Sequence, residues 1–165
     1  MAITLLSERP EHAGAIEVVL ARAFGPGRYA KTSERVRERD AAAEPSLSRV
    51  ALDASGAVVG VCRIWRVLAG GAAYFLGPLA VDPSLQGGGV GADLVRGAVA
   101  ACRASGGGAV IAIGAARFFE PLGFHIAPQG LLMLPGPVDP ARVLILELRP
   151  GGLDAIGGAI SGSSR

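Results

Sequence analysis

The stretch GPLAVDPSLQGGGVGADL, residues 77–94, combines residue types and spacing that point to chemistry. Four of its five glycines, Gly87, Gly88, Gly89 and Gly91, lie at the start of an apolar series spaced by four, made up of Val90, Leu94, Ala98 and Cys102. This spacing predicts a helix with one buried face. A helix that begins in a glycine loop presents unpaired backbone N–H groups and the positive end of its dipole, which together favour phosphate. The stretch therefore predicts a phosphate or pyrophosphate site.

Two common phosphate loops fit this stretch poorly. The nucleoside-triphosphate loop needs Lys and then Ser or Thr after its last glycine, whereas Ala92 and Asp93 follow Gly91 here. The dinucleotide fingerprint needs G-x-G-x-x-G early in a βαβ unit, yet three β-type segments precede this loop. A dinucleotide site and a purely structural turn stay open as minor alternatives.

The rest of the chain supplies the elements that position the loop. Apolar or β-rich runs predict strands at residues 3–6, 48–53, 57–68, 72–81, 109–113, 131–134 and 143–148. Helices are predicted near residues 10–24 and 32–43, after the glycine loop, and over GAARFFEPLGF. The order βααβββαβαββ combines hairpins with one parallel crossover. We therefore expect a mixed, mostly antiparallel α/β sheet with helices on both faces.

Composition and charge exclude several classes of protein. The chain is half hydrophobic and 18% charged with a formal charge of +2, which favours a globule and is too small for a nucleic-acid binder. No apolar run approaches the ~20 residues of a membrane span, and the charged start with Pro10 is unlike a signal peptide. Cys62 and Cys102 lack metal-ligand spacing and are predicted to be reduced core thiols. We expect a cytoplasmic monomer or homodimer without a metal.

The domain organisation is predicted to be simple. No repeat or linker interrupts residues 1–150, which predicts a single domain. Residues 151–165 are Gly/Ser-rich and are expected to form a frayed or loosely docked tail. The charge run with Arg35, Arg37, Glu38, Arg39 and Asp40 is expected to be a solvated helix face.

Several motifs carry a resemblance to a known family. Gln86, Gly89 and Gly91 form Q-x-x-G-x-G after a strand that ends in Val-Asp-Pro, and FFEPLGF follows later. In these motifs the chain resembles the GNAT superfamily of acetyl-CoA-dependent N-acetyltransferases. AFGPGRYAKT and LPGPVDPARVLILELRPGGL resemble a subgroup of small bacterial members, so the resemblance covers most of the chain. It implies a sheet splayed at a central bulge, which Gly77 and Pro78 inside an apolar strand fit.

The resemblance also implies roles, mostly for backbone atoms. The pantetheine arm of acetyl-CoA would pair with Val81, the amides of residues 86–92 would hold the pyrophosphate, and the Leu79 N–H would bind the thioester carbonyl as an oxyanion donor. The implied reaction is direct transfer of the acetyl group to a primary amine of a small molecule or peptide. The implied cofactor-binding residues are Leu79, Ala80, Val81, Gln86, Gly87, Gly88, Gly89, Val90, Gly91, Ala92, Phe118 and Phe119.

The chain departs from the family pattern at positions that contact phosphate or transfer protons in many relatives. Gly88 stands where many relatives carry an Arg that contacts phosphate, and Phe119 where many carry a Tyr that protonates the leaving thiolate. Phe75 stands near the usual position of a carboxylate base. Tyr29, in the loop after the first helix, is the candidate proton donor. An acyl-CoA-binding or sensor module with weak or no transferase activity stays open as the alternative function.

Overall fold

The computed structural model describes residues 2–26, 32–38 and 41–162. Its helices are α1 (Ala13–Phe24), α2 (Thr32–Glu38), α3 (Val90–Ala104) and α4 (Ala116–Phe119). Its strands are β1 (Thr4–Ser7), β2 (Ala42–Ala43), β3 (Arg49–Leu52), β4 (Val58–Ala69), β5 (Gly71–Val81), β6 (Ala109–Ile113), β7 (His125–Ile126), β8 (Leu132–Met133), β9 (Val143–Glu147) and β10 (Gly158–Gly162). Short 3₁₀ turns lie at Pro10–His12, Pro83–Leu85, Glu120–Leu122 and Pro140–Arg142.

The strands form one mixed sheet. The path through it runs β1-β3-β4-β5-β6-β9-β7, with β2 and β10 paired to β4 and with β8 paired to β10. Along this path β5 and β6 are parallel, joined by the α3 crossover, and the other neighbours are antiparallel. This is the mixed, mostly antiparallel α/β sheet expected from the sequence.

Both faces of the sheet are covered by helices. Successive β4 side chains point to opposite faces, so Cys62 packs with Leu94 of α3, whereas Val61 packs with Ile16 of α1. Further along, Val36 of α2 joins the buried cluster on the face opposite α3. The amphipathic patterns of α1 and α3 are thus explained by burial against the two faces of one sheet.

Two of the short strands were not predicted. β2 and β7 have two residues each, too few for an alternating pattern to be visible in sequence. The helix predicted over residues 32–43 is shorter than expected, because α2 spans Thr32–Glu38 and Ala42–Ala43 pairs with β4 instead. The run predicted at 131–134 is confirmed only as the two-residue strand β8, which pairs with β10.

The expectation of a frayed or loosely docked C-terminal tail is wrong for the residues that the structure describes. β10 is antiparallel to β4, with Ile160 opposite Ala69, and parallel to β8. Ile156 and Ile160 are buried. Two isoleucines among glycines produce no periodic signal, yet each removes apolar surface from water when the segment adds to an open sheet edge.

The expectation of a solvated α2 is also wrong in part. Arg35 is exposed, as expected, and Val36 is buried. The side chain of Arg37 is only 8% exposed and forms an ion pair with Glu34 one turn away. Because α2 packs against the sheet, the helical repeat places Arg37 on the side of α2 that faces the sheet. Arg39 and Asp40 lie outside the described residues.

Candidate functional site

Strand β5 contains a bulge opposite β4. Cys62 pairs with Leu79 and Ile64 pairs with Leu76, so β5 uses three residue steps where β4 uses two. The extra residue falls at Gly77-Pro78, which are joined by a cis peptide bond. Gly77 has φ +143°, a conformation that glycine adopts without strain. The bulge predicted from the Gly-Pro pair is confirmed.

Strands β5 and β6 separate at this bulge. They pair from Tyr74 and Val110 through Leu76 and Ala112, and no described residue pairs with residues 77–81 on the β6 side. β6 continues past this point, because Ile113 pairs with β9. The two strands therefore diverge, and a gap opens between them.

The β5 backbone beyond the bulge directs polar groups into this gap. The Asp82 N–H donates to the Val59 carbonyl at 2.8 Å, so residue 82 faces β4. Backbone N–H and C=O groups alternate in direction along a strand. Ala80 therefore also faces β4, whereas the N–H and C=O groups of Leu79 and Val81 face the gap.

The glycine loop leads directly into α3. Gly87 and Gly89 have φ +85° and +87°, and Gly89 is the N-cap residue of the helix. No described side chain caps this end of α3. The N–H groups of the first helical turn have no partner within the helix, and the dipole adds partial positive charge. The loop therefore presents the anion-binding backbone that its sequence predicts.

Asp82 anchors the start of this loop. Its carboxylate accepts hydrogen bonds from the Ser84 N–H at 3.0 Å and the Ser84 hydroxyl at 2.8 Å. Arg22 of α1 lies 2.6 Å from the other carboxylate oxygen. The hydrogen bonds from Ser84, with a smaller contribution from the Arg22 charge, hold the pKa of Asp82 below its usual value. Asp82 thus fixes the turn that leads from β5 into the glycines.

A cleft of about 390 Å³ joins the β5 segment to the glycine loop. Of the predicted binding residues, Gly88 and Phe119 are the two that do not line it. Three lining residues were not predicted, Ala23, Phe24 and Leu85, because apolar helix and turn residues carry no chemical signal of their own. The lining residues are Ala23, Phe24, Leu79, Ala80, Val81, Leu85, Gln86, Gly87, Gly89, Val90, Gly91, Ala92 and Phe118.

The cleft has the shape and chemistry for a slender ligand with phosphate groups. A Cβ atom added at Gly91 would lie 3.6 Å from Phe118 Cζ and 3.7 Å from Val81 Cγ2, so a side chain there would narrow the floor. A Cβ at Gly87 or Gly89 would meet nothing within 4 Å. Apolar walls beside a row of backbone donors suit an arm of alkyl and amide groups attached to a pyrophosphate.

The sequence matches the acetyltransferase (GNAT) family over residues 15–124, well over half of the chain. The chain belongs to the GNAT family. The matched region includes the bulge, the gap and the glycine loop that together form the cleft. No curated protein matches the chain.

Solved structures of other GNAT proteins resemble this one. A GNAT family N-acetyltransferase (YhbS) from Escherichia coli in complex with CoA has a TM-score of 0.80 and 25% identity, covering 98% of this chain and 89% of the other. A GNAT family acetyltransferase from Brucella melitensis in complex with acetyl-CoA has a TM-score of 0.71 and 27% identity, covering 99% and 97%. A GNAT family acetyltransferase from Staphylococcus aureus shares the fold at 14% identity and a TM-score of 0.64, covering 90% and 100%.

Of the positions that bear on proton transfer, the two in the described part of this GNAT protein, Phe75 and Phe119, are buried. Tyr29 lies outside the described residues. Phe75 is fully buried. Phe119 is packed edge-on between Phe118 and Phe124, with ring centroids 4.9 and 5.1 Å apart. The adjacent Phe118 lines the cleft, so the aromatic pair divides between cleft wall and core.

The remaining predictions concern metals, membranes and thiols. Within residues 2–26, 32–38 and 41–162, no group of three or more His, Cys, Asp or Glu side chains could hold a metal ion. No helix of the described chain is long and apolar enough to cross a membrane. Cys62 and Cys102 are both free and buried, as predicted. Burial raises the pKa of Cys102 to about 12 and that of Cys62 further still.

Proposed function

We propose that this GNAT protein transfers an acetyl group from acetyl-CoA to a primary amine of a small molecule or peptide. One observation carries the proposal: the gap-facing backbone of Leu79 and Val81 and the exposed N-terminus of α3 line the same cleft. The first provides hydrogen-bonding groups for an amide-containing arm, and the second provides donors for a pyrophosphate. Neither a triphosphate nor a dinucleotide site would need the strand bulge.

The chain's own residues would bind and orient acetyl-CoA. The amides of residues 86–92 would hold the pyrophosphate, and the Val81 backbone would pair with the pantetheine arm. The Val81 carbonyl accepts a hydrogen bond from the Gln86 side-chain amide at 3.2 Å, so Gln86 would turn aside as the arm binds. Phe24 and Phe118 form apolar parts of the wall.

Leu79 would contribute directly to the acyl transfer. When bound, acetyl-CoA supplies an activated acyl group as a thioester. As the amine nitrogen forms the new C–N bond, negative charge develops on the carbonyl oxygen, and the Leu79 N–H would stabilise it from a fixed position. The C–S bond would then break, and the proton lost by the amine would pass to the departing thiolate, which leaves as CoA thiol. The backbone donor needs no particular side chain at residue 79.

The alternative function is acyl-CoA binding without efficient transfer. The observation that favours it is the position of Phe119, which is buried in an aromatic cluster and has no proton to give. A protein with this arrangement would still bind acetyl-CoA, because the loop and the β5 segment do not depend on Phe119.

Calorimetric titration with acetyl-CoA and CoA, and with ADP and NAD as controls, tests the binding step. We expect saturable binding of both CoA compounds and much weaker binding of NAD. Release of CoA thiol, followed across a panel of amines, then separates the two functions: amine-dependent release supports transfer, and tight binding without release supports the sensor. Absence of acetyl-CoA binding by the folded protein would refute both.

A further inference from the structure

A charged pair on α2 packs against the strand bulge from the face opposite α3. The side chains of Glu34 and Arg37 are 19% and 8% exposed and form an ion pair. Their neighbour Val36 belongs to the same buried cluster as Phe75, which precedes the bulge by two residues. Burying two charges carries a desolvation cost that often exceeds their mutual attraction, so a buried ion pair is weak evidence for stability.

Trp65 connects this pair to the bulge. The Arg37 guanidinium carbon lies 6.0 Å from the Trp65 ring centroid, within the range of a cation–π contact. The indole N–H of Trp65 donates to the Gly77 carbonyl at 2.5 Å. Arg37 Nη1 also lies 3.3 Å from the position that a Cβ on Gly77 would occupy. Gly77 is therefore held by an indole donor and flanked by a guanidinium.

Gly77 lies close to the donor assigned to the acyl group. It precedes Leu79 by two residues, which span about 6–7 Å in a strand. Glycine has the widest backbone freedom of any residue, so a bulge built on Gly77 needs external contacts to fix its geometry. A small rotation at Gly77 would turn the Leu79 N–H away from the carbonyl oxygen that it is assigned to bind.

We propose that Arg37, paired with Glu34 and in cation–π contact with Trp65, is a positioning residue that fixes the bulge and thereby orients the Leu79 N–H toward the acyl oxygen. The proposal rests on the function proposed above and adds to it a contribution from α2. The pyrophosphate contacts, at the other end of the cleft, do not involve Arg37.

The test uses the full-length protein and measures two quantities for each variant, the affinity for acetyl-CoA and the stretching frequency of its acyl carbonyl. The probe is acetyl-CoA labelled with ¹³C at the acetyl carbonyl. Its bound C=O stretch is read by isotope-edited infrared spectroscopy, and its Kd by calorimetry. In the wild type, the hydrogen bond from Leu79 should lower the stretching frequency below its value outside the protein. In Arg37→Gln, the Kd should stay within about threefold and the stretch should move back toward the unbound value.

Two further variants separate positioning from a merely structural role. Arg37→Lys keeps the charge without the planar guanidinium, so it should restore the band only in part. Arg35→Gln removes the same charge from an exposed position on the same helix and should leave the band and the Kd unchanged. Should Arg37→Gln fail to fold because it leaves Glu34 buried and unpaired, the double variant with Glu34→Gln removes both charges and takes its place.

The outcomes distinguish this inference from the proposed function. A bound carbonyl band that is identical in wild type and Arg37→Gln would overturn the positioning role while leaving acetyl-CoA binding intact. Equal shifts in Arg35→Gln and Arg37→Gln would overturn it too, because a general charge effect would then suffice. If the wild type does not bind acetyl-CoA at all, the proposed function and this inference both fall.

Discussion

Substitutions at Gly91 should separate folding from cofactor binding. The Cβ position at Gly91 lies 3.6 Å from Phe118 Cζ and 3.7 Å from Val81 Cγ2, which are ordinary contact distances, so the protein accepts a methyl group. Gly91 lies within α3, where alanine is favoured over glycine by about 0.5–1 kcal/mol. For a chain of this size, Gly91→Ala should raise the melting temperature by about 1–4 °C.

The same substitution should weaken acetyl-CoA binding. A methyl group on the cleft floor would keep the pyrophosphate away from the N–H groups of the first turn of α3. Loss of one hydrogen bond to a charged group costs about 1.5–3 kcal/mol. This corresponds to a Kd raised about 10- to 150-fold. Gly91→Val, which fills more of the space between Val81 and Phe118, should lose more affinity.

Calorimetry and thermal melting of the same samples would measure both effects. Gly97→Ala is the matched control, because it lies on the same helix and its Cβ would meet the flexible Arg49 side chain at 3.4 Å rather than the cleft. It should melt at or above the wild-type temperature and bind acetyl-CoA normally. A Gly91→Val protein that melts normally and retains the wild-type Kd would refute the assignment of this cleft to acetyl-CoA.

Three further predictions concern charge and burial. The pKa of Asp82 is lower in the folded protein than the unfolded value of about 3.9, so its stabilisation is present above that pH and is lost as pH falls through the folded value. Asp82→Asn should therefore be less stable than wild type in urea at pH 7, and this deficit should shrink as the pH is lowered below about 3.9; a deficit that does not change with pH would contradict this. The buried thiols of Cys62 and Cys102 should not react with a chromogenic disulfide reagent at pH 8 until urea is added. Rapid reaction of either thiol in the native protein would contradict its burial. A Cβ at Gly88 would lie 3.4 Å from the Leu85 carbonyl oxygen. Gly88→Arg should tighten CoA binding about two- to fivefold at low salt and lose this gain at high salt. A gain in affinity that does not depend on salt would exclude an ionic cause.

Much of the site could be predicted because it is built from backbone preferences that are local in sequence. Gly77-Pro78 marks the bulge, since proline cannot donate to a ladder and glycine tolerates φ +143°. Gly87 and Gly89 mark the left-handed turn that exposes the N-terminus of α3. Each of these features depends on a few adjacent residues, so it is visible without knowledge of the fold.

Side-chain roles were harder to predict because they depend on which face of an element is covered. Phe118 and Phe119 are adjacent and chemically identical, yet only Phe118 lines the cleft, whereas Phe119 is buried among aromatic rings. Arg37 looks like Arg35 in sequence, but α2 packs so that the first is buried beside Trp65 and the second is exposed.

By itself, the sequence determined the mixed α/β fold, the bulge, the glycine-loop helix and the family, because periodicity and glycine placement act over short distances. Only the tertiary structure decided that the gap-facing backbone of Leu79 and the glycine loop share one cleft. It also decided that α2 and Trp65 contact the bulge from the opposite face, and that Ile160 inserts the C-terminal segment into the sheet edge. These contacts join residues far apart in the chain, and burial of both partners, rather than any local preference, selects them.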